Sequence, residues 1–396
     1  MDRVNVAIVG AGAAGLSLAH RLTKRLDGRS IALVETAESA LRPPVRTWCF
    51  WETARGEWDG AVSGRWPALS VFGPDGTQWC SSAAPLVYKM IRSPDFESLV
   101  RGDLADVRPI EATVLDVVDG AGGALLRMRD AVGRPAELAA DVVFDSRPPV
   151  AFPPSAVTLR QHFRGWFVRT AEPRFDTGAA VLMDLRTPQP DRGVSFGYVL
   201  PFSAHEALVE YTEFSQDVLD RAGYEAALHD YTDRVLDLGE FSVTGTEQGA
   251  IPMTTAPLRV PVGRRVFRIG TAGGATRPST GYTFAGVQRQ TEQIAAALAA
   301  GRRPGGSAAH SRRHLFMDAV LLRGLAEGRI DGADFFASLF RGNPLPRLLD
   351  FLDGRTTPLT DLTVGATAPI GPMLSTLWAH VRPGPALARE PDDTQS

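Results

Sequence analysis

Three glycines near the start of this chain of 396 residues could cradle a phosphate. Gly10, Gly12 and Gly15 fit the G-x-G-x-x-G spacing, with Ala11 and Ala14 inside the same loop. The first glycine allows a tight turn, the second lets a pyrophosphate approach the backbone, and the third lets a helix pack on the preceding strand. The helix that follows would turn free N–H groups and the positive end of its dipole toward the phosphates. Glu35 follows about twenty residues later, where an acid would grip ribose hydroxyls. A tight glycine turn alone does not explain Glu35, so the pattern is read as a dinucleotide site.

The elements that must position these groups are legible nearby. Residues 4–9 are short, Val/Ile-rich and ended by glycine, as in a buried parallel strand. A helix should run from the glycine loop to about Arg25, stop at Asp27 and Gly28, and lead into a strand over 31–34. Residues 42–52 read as a loop, and Arg42 is assigned to the cofactor. Residues 66–79 alternate like antiparallel strands around a turn at 73–76. Ser93 should cap a helix that has Pro94 at an early position. Further strands are expected over 107–128 and 140–145.

A change of character follows. Residues 159–168, 179–185, 194–200 and 207–214 read as strands of a mostly antiparallel sheet. Residues 265–269 then return as a buried strand of the first domain, followed by a glycine loop and a helix from Gly281 to about Ala300. A second helix N-terminus there would face the flavin end of an FAD and stabilise negative charge on its ring. Gly270, Gly274, Pro278, Gly281 and Tyr282 are therefore assigned to FAD. Many flavoproteins carry Gly-Asp where this chain has Gly270 and Thr271. Arg92 is a further cofactor candidate, with a solvated surface arginine as its alternative. Ser279 and Thr280 read as caps of the helix.

The expected fold is α/β: a Rossmann-type FAD-binding domain, an antiparallel sheet domain for substrate, and a helical C-terminal region. The expected boundaries are 1–155 and 249–300 for the FAD-binding domain, 156–248 for the sheet domain and 301–396 for the helices. The formal net charge of -3 provides no bulk positive field for nucleic acid. Cys49 and Cys80 form no CxxC pair and read as reduced thiols. The seven histidines lack HxH or HExxH spacing, so no metal site is expected. No apolar run is long enough to span a membrane. The N-terminal stretch reads as structure rather than as a secretory leader, and a cytoplasmic protein is expected.

Several segments resemble those of bacterial lycopene β-cyclases, in the same order and over nearly the whole chain. They are Arg46-Thr-Trp-Cys-Phe-Trp-Glu52, Phe144-Asp-Ser-Arg-Pro-Pro149, Gln161-His-Phe-Arg-Gly-Trp166, Ala207-Leu-Val-Glu-Tyr-Thr212, Gly249-Ala-Ile-Pro-Met253 and Pro278-Ser-Thr-Gly-Tyr282. The resemblance implies a flavoprotein isomerase that uses reduced FAD, maintained by NAD(P)H, and makes no net redox change. Such enzymes convert the acyclic ends of a lipophilic polyene into β-rings. A terminal alkene is protonated, the next double bond attacks the cation, and the ring cation loses a proton. The acid must be kept protonated by burial, and the cation needs electron-rich neighbours.

Glu210 is the residue the resemblance implies as the acid. It holds the first acidic place of a motif that reads Phe-Leu-Glu-Glu-Thr in plant members, whereas Tyr211 replaces the second acid here. On a strand, Leu208, Glu210 and Thr212 share one face. A solvent-facing glutamate is the alternative, and Glu213 on the other face is expected to be solvated. Asp145 and Glu247 are reserve acids, for which turn and ion-pair roles are equally open. Trp48, Phe50, Trp51, Phe196 and Tyr198 are candidate substrate-lining residues, with core packing as the alternative. Phe335, Phe336, Leu339, Phe340, Leu345, Leu348, Leu349, Phe351 and Leu352, flanked by arginines, suit either a membrane surface or a core. Two other readings stand: an FAD-dependent monooxygenase or reductase acting on a prenyl or polyketide substrate, and a non-catalytic prenyl-binding protein.

Overall fold

A computed structural model describes residues 2–148, 157–258, 260–304 and 309–381. The glycine-containing start folds as β1 (Asp2–Val9), α1 (Ala13–Thr23) and β2 (Ile31–Glu35). Both strands are apolar runs without alternation because both of their faces are covered. The chain continues through β3 (Thr47–Thr53), β4 (Val62–Trp66), β5 (Ala68–Phe72), β6 (Gln78–Ser82), β7 (Leu86–Arg92) and α2 (Ser93–Gly102). It then forms β8 (Val107–Gly120), β9 (Gly123–Asp130) and β10 (Pro135–Asp145). In the first sheet β1 lies between β2 and β10, β8 joins β2, and β16 (Val266–Arg268) joins β10, all parallel. β9 runs antiparallel to both β8 and β10, so it bridges the two arms of the sheet.

The second sheet contains β11 (Thr158–Thr170), β12 (Ala179–Asp184), β13 (Val194–Pro201), β14 (Glu206–Ser215) and β15 (Phe241–Thr254). Its strand order is β15-β11-β14-β13-β12-β5-β6. The hairpin of β5 and β6, which the sequence reading counts with the cofactor domain, therefore belongs to this sheet, joined by parallel pairing of β5 with β12. β15 also crosses the expected boundary at 248 and stays paired with β11 as far as Thr254. One face of the sheet is covered by α3 (Arg221–Asp230). The other meets the small sheet β3-β7-β4 and the C-terminal helices.

Two local expectations change. The helix after the return strand, α4 (Phe284–Ala299), begins three residues later than Gly281. Gly281 has φ +69°, and residues 277–282 close on themselves through the Arg277 carbonyl, which accepts from the Gly281 N–H at 3.0 Å. A left-handed residue cannot open a right-handed helix. Ser279 is consequently no cap: its hydroxyl donates to Asp318 Oδ1 at 2.6 Å. Ser93 likewise does not cap α2, because its hydroxyl accepts from the Arg46 N–H at 3.1 Å.

The C-terminal helices are α5 (Arg312–Ala326), α6 (Gly332–Gly342), α7 (Leu345–Leu352), α8 (Pro358–Gly365) and α9 (Ile370–Val381). Their apolar stripe over Phe335, Phe336, Leu339, Leu345, Leu348, Leu349 and Leu352 is buried in the same core as β5, β13 and β14. Phe340 and Phe351 are half-buried against it. These residues form core and not a membrane-facing surface, because the second sheet presents them with an apolar face of its own. Among the described residues, no helix is long and apolar enough to cross a membrane. The polar tail from Arg389 lies outside the described residues.

Candidate active site

The carboxyl ends of the parallel strands gather the glycine loop, Glu35 and the return loop. The three fingerprint glycines differ in what surrounds them. Gly10 has φ +93°, and a Cβ there would strike Ser146. A Cβ at Gly15 would strike the Gly10 carbonyl. At Gly12 a Cβ would meet nothing within 4 Å. The outer two glycines thus hold the turn together, while the middle one leaves backbone facing open space. A pyrophosphate would need that opening, so the residues present fit a dinucleotide.

Glu35 ends β2 and is held by Arg101 Nη2 at 2.6 Å from Oε2. Arg101 was not anticipated, since a lone arginine on a helix carries no local signal. Ala11 and Ala14 flank the turn, and Gly270 (φ +66°) comes so close to helix α1 that a Cβ would lie 3.0 Å from Ala14 Cβ. Gln290 of α4 clamps the return loop. Its Oε1 accepts from the Gly270 N–H at 2.8 Å, and its Nε2 donates to the Gly273 carbonyl at 2.7 Å. Gly274 has φ +75°, and Pro278 is buried beside it in the same loop. Arg277 ties that loop to Asp318 of α5 and to the Phe351 carbonyl of α7. Arg42 is exposed and engages the Thr36 carbonyl and Glu111. Arg92 lies 5.3 Å over the ring of Phe167, next to Glu247.

The acid candidates meet in the second sheet. β11 runs between β14 and β15, and its Gly165 stands directly opposite Glu210 on one side and Glu247 on the other. The three positions share one face of the sheet. A Cβ at Gly165 would lie 3.4 Å from both Glu210 Cβ and Glu247 Cγ. With no side chain at position 165, nothing on β11 separates the two carboxyl groups, and each shifts the proton affinity of the other. Both are buried. Glu210 Oε1 accepts from the Thr212 hydroxyl at 2.8 Å, and Glu247 Oε1 accepts from the Thr47 hydroxyl at 2.8 Å. Burial, then the negative charge of Glu247, holds the Glu210 carboxyl well above the ordinary carboxylate range. Burial also raises Glu247, while Thr47, the proton shared by Glu210 and the charge of Arg92 pull it back. Both carboxyl groups are thus held above the ordinary carboxylate range.

An aromatic cluster begins beside Glu210. Tyr198 of β13 stands opposite Glu210. Its hydroxyl is 2.8 Å from that of Tyr88, which in turn is 3.3 Å from that of Tyr282. Trp51 stacks on Tyr88 with ring centroids 6.1 Å apart and meets Tyr282 edge-on at 4.7 Å. Burial pushes the Cys49 thiol up to about 12 and raises all three tyrosines, so among the described residues this cluster is rich in π electrons and holds its protons. Phe196 lies on the same face as Tyr198 and packs edge-on against Phe214 at 5.4 Å. Gln161 Oε1 and Thr280 Oγ1, beside the return loop, and Trp51 Nε1 are buried without a hydrogen-bond partner. Such atoms call for a ligand or water.

Several expectations are corrected here. Trp48 and Phe50 do not join Trp51, because successive strand residues face opposite ways. They pack on Phe284 of α4, at 5.7 and 4.8 Å between centroids, and belong to the cofactor-domain core. Glu213 is buried rather than solvated: it accepts from the Tyr211 hydroxyl at 3.1 Å under α3. Asp145 is an ion-pair residue, 2.8 Å from Arg147 Nη2. Tyr88, Gly165 and Thr47 were missed. Thr47 and Gly165 lie inside segments that carry the resemblance, but only the pairing of strands brings them to the two glutamates.

Comparison with known proteins agrees with this architecture. A geranylgeranyl bacteriochlorophyll reductase-like protein from Thermoplasma acidophilum superposes with TM-score 0.64 at 12% identity, covering 95% of this chain and 98% of that one. A flavoprotein/dehydrogenase from Cytophaga hutchinsonii gives 0.65 at 11% identity, covering 96% and 100%. The flavin-dependent monooxygenase PieE, solved with FAD and substrate, gives 0.55 at 15% identity, covering 100% and 78%. At these identities the likeness establishes the shared flavoprotein fold. No curated protein matches the chain. The sequence model of one family, described as lycopene cyclase protein, matches residues 5–378, nearly the whole length. The chain belongs to the lycopene cyclase family.

Proposed function

We propose that this protein is an FAD-dependent lycopene β-cyclase that forms β-rings at the acyclic ends of a polyene without net redox change. The observation that carries the reading is Glu210, a buried carboxyl whose proton affinity burial raises, opposite Tyr198 in a molecule whose glycine loops fit a dinucleotide. An alkene is a very weak base, so its protonation needs an acid that water does not discharge. Glu210 holds such a proton at Oε1 or Oε2, and Thr212 fixes its carboxyl plane. Trp51, Tyr88, Tyr198 and Tyr282 present ring faces and edges that favour a carbocation. FAD would be held by the Gly10–Gly15 turn, Glu35 and the Gly270–Tyr282 loop. In its reduced form, kept so by NAD(P)H, it supplies an electron-rich neighbour for the cation.

The family and the apolar site support a lipophilic polyene as substrate, and a membrane as the place where it is collected. The exposed apolar side chains of the C-terminal helices support a docking face different from the one expected from sequence: Leu315 of α5, Leu359 and Leu362 of α8, and Leu374 of α9. Liposome flotation of wild type and a Leu359→Ser, Leu362→Ser variant tests this. Wild type should float and the variant should not, and equal behaviour removes this face. Incubation with lycopene in liposomes under reducing, anaerobic conditions tests the activity itself. β-Ring products are expected. Oxygenated or hydrogenated products would assign the protein to the oxidoreductases of the same fold.

A further inference from the structure

The mechanism above uses one carboxyl group, yet two meet over Gly165. We propose that Glu247 forms a proton-sharing pair with Glu210 and takes part in returning the proton at the end of each cycle. This rests on the cyclase reading for its chemistry, but the pair itself rests on strand register. Glu210 and Glu247 lie on strands that flank β11 from opposite sides, both directly opposite Gly165, so no β11 side chain stands between them. The pair is asymmetric. Among the described residues, Glu210 is given a hydroxyl donor, Thr212, and no cation. Glu247 has the Thr47 hydroxyl and the nearby charge of exposed Arg92. Glu210 is thus set to hold the proton, and Glu247, nearer the cation, to hold the negative charge.

The other titratable groups near the pair are Cys49 on β3, Tyr198 on β13 and Tyr224 on α3, with Tyr88 and Tyr282 reached through Tyr198 and Cys49. Their proton affinities are all raised by burial, so none of them relieves the pair by ionising near neutral pH. The cycle then balances. The pair begins with one proton and one negative charge. The Glu210 O–H bond breaks, and its proton forms a C–H bond at the terminal alkene carbon. The next double bond supplies the electron pair that closes the ring. A C–H bond beside the ring cation breaks, its electrons form the new double bond, and the proton goes to the pair. Nothing is oxidised or reduced. Between the two proton transfers both carboxylates are charged at close range, which disfavours that state and makes the pair a strong proton acceptor when the ring cation must be quenched.

The test is infrared difference spectroscopy of the FAD-loaded protein carrying ¹³C-labelled glutamate, titrated with pH in wild type, Glu247→Gln and Glu210→Gln. Wild type should retain one protonated glutamic acid through neutral pH, and Glu210→Gln should lose it. Glu247→Gln should keep the proton but release it more than about one pH unit lower, because the like charge is gone. Turnover of Glu247→Gln should fall, with its alkaline limb moved down by the same amount, and Glu247→Asp should recover part of both. A purely structural Glu247 would change stability without moving either titration. An unchanged titration in Glu247→Gln overturns the pair. A shifted titration in a wild-type protein that forms no ring product keeps the pair and removes its catalytic role together with the cyclase reading.

Discussion

Glu210 and Glu213 stand three residues apart on β14, equally buried at 7% and 8% relative exposure, and face opposite ways. Glu213 looks into the polar cluster under α3, where the Tyr211 hydroxyl donates to it and His162 lies 3.9 Å away. Glu210 looks toward aromatic rings and a second carboxyl group. Residue type and burial are the same, so partners alone separate the two. Glu213 is anchored by the hydroxyl of its strand neighbour Tyr211. Glu210 stands near another carboxyl group, and two like charges out of water are disfavoured, so that pair favours keeping a proton. The lesson is that burial alone does not mark a candidate acid; what stands opposite it does.

This contrast breaks first at Glu210. Glu210→Gln keeps the shape of the side chain and removes its proton, so product formation should drop by about 10²–10⁴, the usual worth of general acid–base help. Flavin content, read from the absorption spectrum, should stay normal. Gly165→Ala should be the next largest. The new Cβ would sit 2.8 Å from the flexible end of Leu208 and in ordinary contact, 3.4 Å, with both glutamates, so it crowds the space between them. A loss of up to about tenfold in turnover is expected from that crowding, with circular dichroism showing a folded protein.

Stability should move the other way at Glu210. Its folded-state proton affinity is raised above the ordinary glutamate value of 4.5, so the native protein keeps a proton that the unfolded chain has already released. Stability then falls as pH rises from that value through the raised one. Glu210→Gln removes this term and should unfold at a temperature higher by a few degrees in alkaline buffer, with little difference in acid. The smallest effect belongs to Glu213→Gln. It should leave turnover unchanged and cost about 1 kcal/mol of stability by altering the hydrogen bond from Tyr211, read by denaturant titration.

The two kinds of site were legible to different degrees. The dinucleotide turn is local: Gly10, Gly12, Gly15 and Glu35 lie within one strand–helix–strand unit, and their spacing is itself the geometry. The acid pair is not local. Glu247 is 37 residues beyond Glu210 and joins it only through Gly165, so it depends on which strands pair and in what register. Alternation along residues 208–212 gave the face of Glu210 correctly, but not what stood opposite. The same limit explains Trp48 and Phe50: alternation separates them from Trp51, yet a count of aromatics does not say which face meets substrate. The stripe from Phe335 to Leu352 has the period of any helix with an apolar side. A membrane and a protein core demand the same pattern, and only the apolar face of the second sheet decides between them.

The central claim is a cyclisation started by Glu210 with no consumption of reductant. Its most direct test counts NAD(P)H against ring product in an anaerobic reaction with lycopene-loaded liposomes, after a single charge of reductant has bleached the flavin. Many rings per NAD(P)H are expected from wild type and almost none from Glu210→Gln with its flavin equally bleached. One NAD(P)H spent per product, or a Glu210→Gln protein that matches wild type, would contradict it.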